Sequence, residues 1–437
     1  MNETSPLLHN ELSAIAQRVV QAFPDLHDQA REAAEGLLRT EGNLIGDPDS
    51  IYWHRFAGAV SSSRTFTGWE HYGTPDQSMT LTELVMRRFR ASDQDNADLL
   101  LLYGGFYSAD AHAHRYDETN EVRLLPQRVL NALWDLDFGA VYQRRLAAFW
   151  REHGADVRTL AKLTYLSEAL QSGLSGQLSE VQLKLAYDAV GFDSAAVLAM
   201  ADLKALKRPT AGSSVATLSL GGQRCTDALW IKGQHGEQLL YLPGAVPSFQ
   251  GFASEGELGT TLFGWLQADA SREQLLARFH ADPSAIATLR SKMEQWAKGR
   301  VESFSQQLQR QAFDGNAFAW MRNSAQQRME HDTDAALRTN AELRAQLWVG
   351  YLGGGRPGCS VPPRPWAGHW HCWRWPSMPQ AWALTSNRRS MATATRSGVG
   401  RCWGQLSRPW SCCSTCLFCA RSGSVRRRSW QAWKATP

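Results

Sequence analysis

Over much of the first 350 residues, apolar positions recur every three or four residues, the period of a helix with one buried face. Leu12, Ile15, Val19 and Phe23 form one such stripe, and Leu37 and Leu38 close a second after the turn Phe23-Pro24-Asp25, so residues 9–41 read as two helices. Residues 45–80 lose the period. They are rich in aromatics, Gly and Ser, and read as loops with short strands. Thr80 and Glu83 then stand in capping-box relation and open a helix running through Phe89. Leu99 to Tyr107 is a short apolar run ending in Gly-Gly-Phe-Tyr.

After Pro126 the helical period is at its clearest. Trp134, Phe138, Tyr142, Leu146 and Phe149 make one wide apolar face, and Trp134, Phe138, Tyr142 and Phe149 are the candidate core. Leu160, Leu163, Leu166 and Leu170 continue the pattern in a further helix, and Leu178-Ser-Glu-Val opens another, so residues 127–206 form a helical block. Past Pro209 the period changes to that of strands at Val215–Leu220, Ala228–Lys232 and Gln238–Leu242. The gap Gly233-Gln-His-Gly236 predicts a hairpin. Ser254/Glu257 and Ser271/Gln274 mark two more helix starts, and residues 283–347 are again helical, broken near Asp314-Gly315-Asn316. The pattern therefore predicts a mainly α-helical α+β fold with a small β element around residues 215–242. Its segments are N-terminal helices over 1–44 and a body over 45–347. The body comprises a helical part at 127–206, a β element at 213–244 and a second helical part at 254–347.

Composition changes the picture of the last hundred residues. All 42 acidic residues lie at or before Glu342, where they face 32 basic ones, a net charge of −10. Residues 343–437 carry 14 basic residues and no acid, a net charge of +14, with 7 of the 8 cysteines and 10 of the 18 tryptophans. The basic pI belongs to this tail, so the acidic body offers no electrostatic case for nucleic-acid binding. From Gly353 onward the text has no period and is rich in Arg, Trp, Pro, Ser and Cys, the composition of GC-rich DNA read in another frame. We expect residues 353–437 to be a disordered, frame-shifted tail that begins near Leu352–Arg356. Gly353, Gly355 and Gly358 satisfy G-x-G-x-x-G there, but no strand precedes them and Pro357 interrupts them. Cys413, Cys416 and Cys419 have metal-ligand spacing, with Cys412, His369, His371 and Cys372 nearby, but no periodic core surrounds them. Arg426–Arg428 is a basic run with the same weakness.

Few residues of the body carry candidate chemistry. Asp110, His112, His114 and Asp117 have the carboxylate–imidazole composition of a metal site, and a solvated polar loop is the competing reading. Asp135 and Asp137 form D-x-D, but side chains at i and i+2 diverge on a helix, where carboxylates near a helix start favour its dipole instead. Glu70-His71 lacks a second ligand at helical spacing, and Cys225 is a lone thiol on a strand edge with no His placed beside it. The metalloprotease H-E-x-x-H, the phosphate-binding Walker A loop and the nucleophile-elbow G-x-S-x-G are all absent from the sequence. No run approaches the roughly 18 apolar residues of a membrane span. The polar, acidic start MNETSPLLHNELS is unlike a cleaved Sec signal, so export would use another route.

Four stretches together resemble the dermonecrotic-toxin N-terminal domain family, found at the front of large bacterial toxins and effectors. They are Ser63-Arg-Thr-Phe-Thr-Gly-Trp69 with Ser78-Met-Thr-Leu-Thr-Glu83; Asn120-Glu-Val-Arg-Leu-Leu-Pro126; Leu133-Trp-Asp-Leu-Asp-Phe138 with Tyr142, Phe149-Trp150 and Leu160-Ala-Lys162; and Gln238-Leu-Leu-Tyr-Leu-Pro-Gly244 with Leu262 and Trp265-Leu266. The likeness spans about residues 45–345. It implies a non-catalytic binding or delivery region, with toxic chemistry in later domains that are lost here. No catalytic residue and no cofactor come with it. The implied partner is a receptor on a host or target cell. Membrane contact is expected to need a specific receptor, low pH, where carboxylates and histidines take up protons, or the apolar segment that stops after Leu352. The rival readings are a metal-dependent enzyme built on Asp110, His112, His114 and Asp117, and an intracellular scaffold.

Overall fold

The computed structural model describes residues 6–193, 196–299, 304–313 and 315–352. The expected frame-shifted tail and its glycine and cysteine motifs fall outside the described residues. The chain folds into two compact units that interleave along the sequence. The larger draws on residues up to Gln29, on Met86–Asp95 and on residues from Asp137 onward; the smaller draws on Ala30–Val85 and Asn96–Leu136. The fold is α+β and mainly helical.

The larger unit is built around a helix of 37 residues, Phe138–Leu174. The apolar stripe predicted one helix through Trp134 and Phe138 and a second from Leu160. The structure moves the break. The Pro126–Leu136 helix ends before Asp137, whose left-handed backbone (φ 39°) turns the chain into the long helix. No proline interrupts residues 138–174, so nothing stops that helix at Phe149. Phe138, Tyr142 and Phe149 are buried, whereas Trp134, on the other side of the break, is only half-buried. Asp137 itself accepts a hydrogen bond from the Asn340 backbone N–H at 3.0 Å, which satisfies a donor at the start of the Asn340–Leu352 helix.

The β element is larger than a hairpin. Six strands associate in the order Phe249–Phe252, Gln238–Tyr241, Leu229–Lys232, Ser214–Leu220, Leu308–Gln311, with Gln223–Arg224 pairing on Ser214–Leu220. The predicted hairpin is present, with Lys232 opposite Gln238. Leu308–Gln311 lies in text expected to be helical; it forms a strand because it pairs with Thr217–Leu220, almost ninety residues away. On one face of the sheet, Leu218, Leu220, Trp230 and Leu240 pack with Leu258, Leu262, Leu289 and Trp296 from the helices Glu255–Gln267 and Pro283–Ala297. On the other, Tyr241 and Phe249 meet Tyr165 of the long helix and Tyr165 meets Phe318, with ring centroids 4.8, 5.0 and 5.5 Å from Tyr165. Both faces are covered, which is why these strands are apolar rather than alternating.

Local capping follows the sequence in three places and departs from it in one. Thr80 with Glu83, Ser179 with Gln182, and Ser254 with Glu257 each cap a helix start. Ser271 does not, since its helix already begins at Asp269. The Thr80/Glu83 helix stops at Arg87 rather than Phe89, because Arg88 turns to positive φ.

The smaller unit contains two three-stranded antiparallel sheets. In one, Tyr52–Arg55 lies between Gln77–Thr80 and Gly104–Tyr107; in the other, Trp69–Tyr72 lies between Val60–Ser61 and Arg115–Tyr116. Gly104 is required where it stands, since a Cβ there would come within 2.4 Å of the His54 carbonyl and 2.7 Å of the Trp53 ring.

Candidate functional site

The metal-like quartet lies on the loop after the Gly104–Tyr107 strand. Asp110, His112 and His114 are exposed, and Asp110 Oδ1 is occupied by the His112 backbone N–H at 2.9 Å. Asp117 is buried and engaged elsewhere: it pairs with Arg115 at 2.6 Å and accepts from the Thr119 N–H and hydroxyl at 2.9 and 2.6 Å. The loop is a turn held by its own polar groups, and the four side chains do not converge. Among the described residues, no group of three His, Cys, Asp or Glu side chains is arranged to hold a metal ion.

Beside this loop is a set of buried polar and aromatic groups of which only His71 stands in a sequence motif. His54, Phe56, His71, Tyr107 and Tyr116 are all buried and stack edge and face against one another, with Phe56 over His71 at 4.5 Å and Tyr116 against His54 at 4.9 Å. Burial lowers the proton affinity of both imidazoles. Glu70, adjacent to His71 but on the opposite face of the strand, accepts from Tyr72 and from Arg115. Hydrogen bonds from Ser62, Tyr72 and Arg115 hold its carboxyl down at about 2. The Glu70-His71 dipeptide is thus split between an ion pair that the buried Glu70 makes with the exposed Arg115 and a buried cage.

The remaining candidates are structural. Cys225 is fully buried and its thiol is pushed up to about 12, chiefly by desolvation and then by Asp227. That is the opposite of an activated nucleophile. Asp135 is exposed on the helix before the break and Asp137 faces Asn340, so no paired carboxylate forms. Lys162 is a buried lysine that the apolar stripe did not reveal. Its Nζ donates to the carbonyls of Asp202 and Ala205 at 2.6 and 3.1 Å, satisfying the end of the Met200–Lys204 helix. A cleft of about 370 Å³ in the larger unit is lined by Thr226, His280, Asp282, Ser324, Arg328 and His331. Its charges are of both signs, so it has no bias toward an anion or a cation.

The stretches that carry the family likeness do recognisable work in this geometry. Glu121 accepts hydrogen bonds from the backbone of Phe66 and Thr67 and from the Thr67 hydroxyl, tying the second stretch to the first. Tyr142 donates to the Pro24 carbonyl at 2.7 Å, and Tyr241 of the fourth stretch packs on Tyr165. The family model for the dermonecrotic toxin, N-terminal domain, matches residues 20–282, more than half of the chain. The chain belongs to that family. No curated protein matches it. The match begins earlier than the motifs implied, taking in the helix Leu26–Gly42, and it stops at residue 282 rather than near 345. This dermonecrotic-toxin domain therefore covers all described residues of the smaller unit together with the long helix and most of the central sheet.

Proposed function

We propose that the chain is the binding or delivery region of a longer bacterial toxin or effector, and that it catalyses nothing itself. Membership in the toxin-domain family carries this reading. It is supported by the motif residues, which serve packing, capping and loop tethering rather than converging on a reaction centre. The proposed partner is a receptor on the host or target cell. The net charge of −10 over residues 1–342 opposes direct attraction to anionic lipid or nucleic acid at neutral pH. Among the described residues no helix is long and apolar enough to cross a membrane. Family membership supports delivery into a target cell. The acid-free text from residue 343, aperiodic from Gly353, supports a change of reading frame near Leu352–Arg356.

The test is binding of labelled protein to target cells, with and without protease treatment of the cell surface. In parallel, hydrolase and transferase substrates are screened with and without divalent metal. Saturable binding that protease treatment abolishes is the expected result. A metal-dependent turnover that disappears in His112→Ala would replace this reading with an enzymatic one. Strong binding to anionic liposomes at neutral pH would remove its electrostatic part.

A further inference from the structure

Two histidines in the smaller unit are enclosed by aromatic rings and backbone. His54 and His71 each have 0% exposure. Around His54 stand Tyr52 of its own strand, Phe56 just beyond that strand's end, Tyr107, Tyr116 and the Asp110 carboxylate; around His71 stand Phe56, Tyr107 and the Glu121 carboxylate.

Hydrogen bonding fixes the tautomer of both neutral rings. A carbonyl oxygen can only accept, so His54 Nε2 carries the proton that goes to Ala109 O at 2.9 Å, and His71 Nε2 the one that goes to Leu102 O at 3.1 Å. A second proton must land on Nδ1 in either ring. His71 Nδ1 already accepts from the Tyr107 hydroxyl at 2.7 Å; a proton there would reverse that bond, with the Tyr107 oxygen accepting and its own proton turned into the buried aromatic cage. His54 Nδ1 has no protein hydrogen-bond partner at all, so an N–H there would be buried and unsatisfied.

The neighbouring carboxylates do not rescue the charge. Asp110 accepts from the His112 N–H, Glu121 from Phe66 and Thr67, Asp117 from Arg115 and Thr119, and Glu70 from Arg115 and Tyr72. None of them hydrogen-bonds either imidazole.

We propose that this cage is an acid-sensitive latch: protonation of His54 and His71 opens the smaller unit in mild acid while the central sheet of the larger unit stays closed. The sign follows from burial. Both rings bind protons less readily in the folded state than in the open state, so the stability they contribute is complete above about pH 6.5 and is lost progressively as the pH falls below it. The carboxylates held low by their partners, Glu70 and Asp117, lose their contribution only at much lower pH, so the two windows are separate. In the larger unit, burial also lowers His280, with Asp332 3.7 Å from its Nε2 opposing the shift and His331 and Arg328 adding to it, but His280 lies between the helices Asp269–Leu276 and Pro283–Ala297, outside the strands at 229–232 and 238–241. Burial raises Glu168, beside Tyr241, so its protonation favours the folded state. Opening would release Trp53, Phe56, Phe106, Tyr107 and Tyr116, none of them more than 3% exposed in the closed form. The latch is a property of the fold and does not rest on the delivery reading.

The experiment is hydrogen exchange on the full chain near pH 7.4 and near pH 5.5, corrected for the intrinsic pH dependence of exchange. Opening of the strands at 52–55, 69–72 and 104–107 should rise by up to about tenfold per pH unit for each imidazole, hence up to about a hundredfold for both. The strands at 229–232 and 238–241 should keep their protection. His54→Gln with His71→Gln should remove the acid response of the first set. If those variants do not fold, ring-specific NMR titration of the wild-type histidines decides. Absence of titration until the strands open supports the latch. Either ring titrating near pH 6.5 with protection unchanged, or both strand sets opening together, would overturn it.

Discussion

Replacing Tyr165 by alanine should be among the costliest single changes in the larger unit. The side chain has 0% exposure, its ring meets Tyr241, Phe249 and Phe318 edge-on, and its hydroxyl donates to the Ala186 carbonyl at 2.8 Å. Truncating a buried aromatic costs about 3–5 kcal/mol. Three aromatic contacts, each contributing roughly 0.5–1.5 kcal/mol when intact, place this site toward the upper end of that range. Ala186 lies in the last turn of the Glu180–Asp188 helix, so its carbonyl would also lose a satisfying donor. Tyr165→Phe separates the two contributions: it keeps the rings and removes only the hydroxyl, at about 1–2 kcal/mol. Urea unfolding followed by far-ultraviolet circular dichroism is the suitable assay. Tryptophan fluorescence is not, because 10 of the 18 tryptophans lie after residue 342. Against a total stability of about 5–15 kcal/mol, the alanine variant should show a large fall in midpoint with an unchanged slope. A Tyr165→Ala variant within about 1 kcal/mol of wild type would mean that the sheet does not depend on this helix face.

Two further outcomes follow from buried polar groups. Lys162→Met should destabilise by about 1–3 kcal/mol, because two carbonyls lose their donor while the cost of burying a charge is relieved; a gain in stability would refute the capping role. Burial followed by repulsion from Lys207 brings the Lys162 ammonium down to about 8, below its unfolded value near 10.4, so wild-type stability should rise as the pH climbs between those values and Lys162→Met should lack that rise. Cys225, with its thiol pushed up to about 12, should resist alkylation at about pH 8 until denaturant is added; peptide mapping that finds prompt native labelling of Cys225 would contradict its burial.

Local periodicity made the helices and the hairpin legible, because one buried face leaves a regular mark on the text. The break at Asp137 left none. Trp134 and Phe138 are four apart and apolar, which reads as one face, and no Gly or Pro marks the left-handed residue between them. The Leu308–Gln311 strand was invisible for a different reason: its Leu-Gln-Arg-Gln text is as compatible with an exposed helix, and its partner is almost ninety residues away. In the long helix, the leucine stripe marked only part of the buried face: Leu166 is buried, and Leu160 and Leu163 are half-buried. Leu170 is 48% exposed, while Lys162 and Tyr165 are buried, because the hydrogen-bond partners of Lys162 lie beyond the helix and cannot be read from its period. The histidine cage has members at positions 54, 56, 71, 107 and 116, spread over four strands and their flanks. Each is ordinary in its own segment, and only pairing across the strands brings them together.

The residues by which the chain is recognised and the residues that could respond to a partner or to acid are therefore different sets. Tyr142, Lys162, Tyr241 and the Thr80/Glu83 cap lie within the recognised stretches and keep the fold assembled. A sequence that keeps them keeps the domain, whatever its surface carries. His71 lies just outside the first stretch, and the cage it shares with His54 adds nothing to the packing that an apolar ring of similar size could not supply. What an apolar ring could not supply is the hydrogen bonds to the Ala109 and Leu102 carbonyls and to the Tyr107 hydroxyl, together with a site that changes charge between about pH 7 and pH 5. Retaining two imidazoles with no acid in hydrogen-bonding contact costs stability in mild acid. That cost has a physical use if the smaller unit must open where protons are plentiful. Glu121 links the two sets: it tethers Phe66 and Thr67 through three hydrogen bonds and is also the carboxylate facing His71. Opening the cage should accordingly free the 62–68 loop as well, exposing the first recognised stretch at the pH at which the histidines charge.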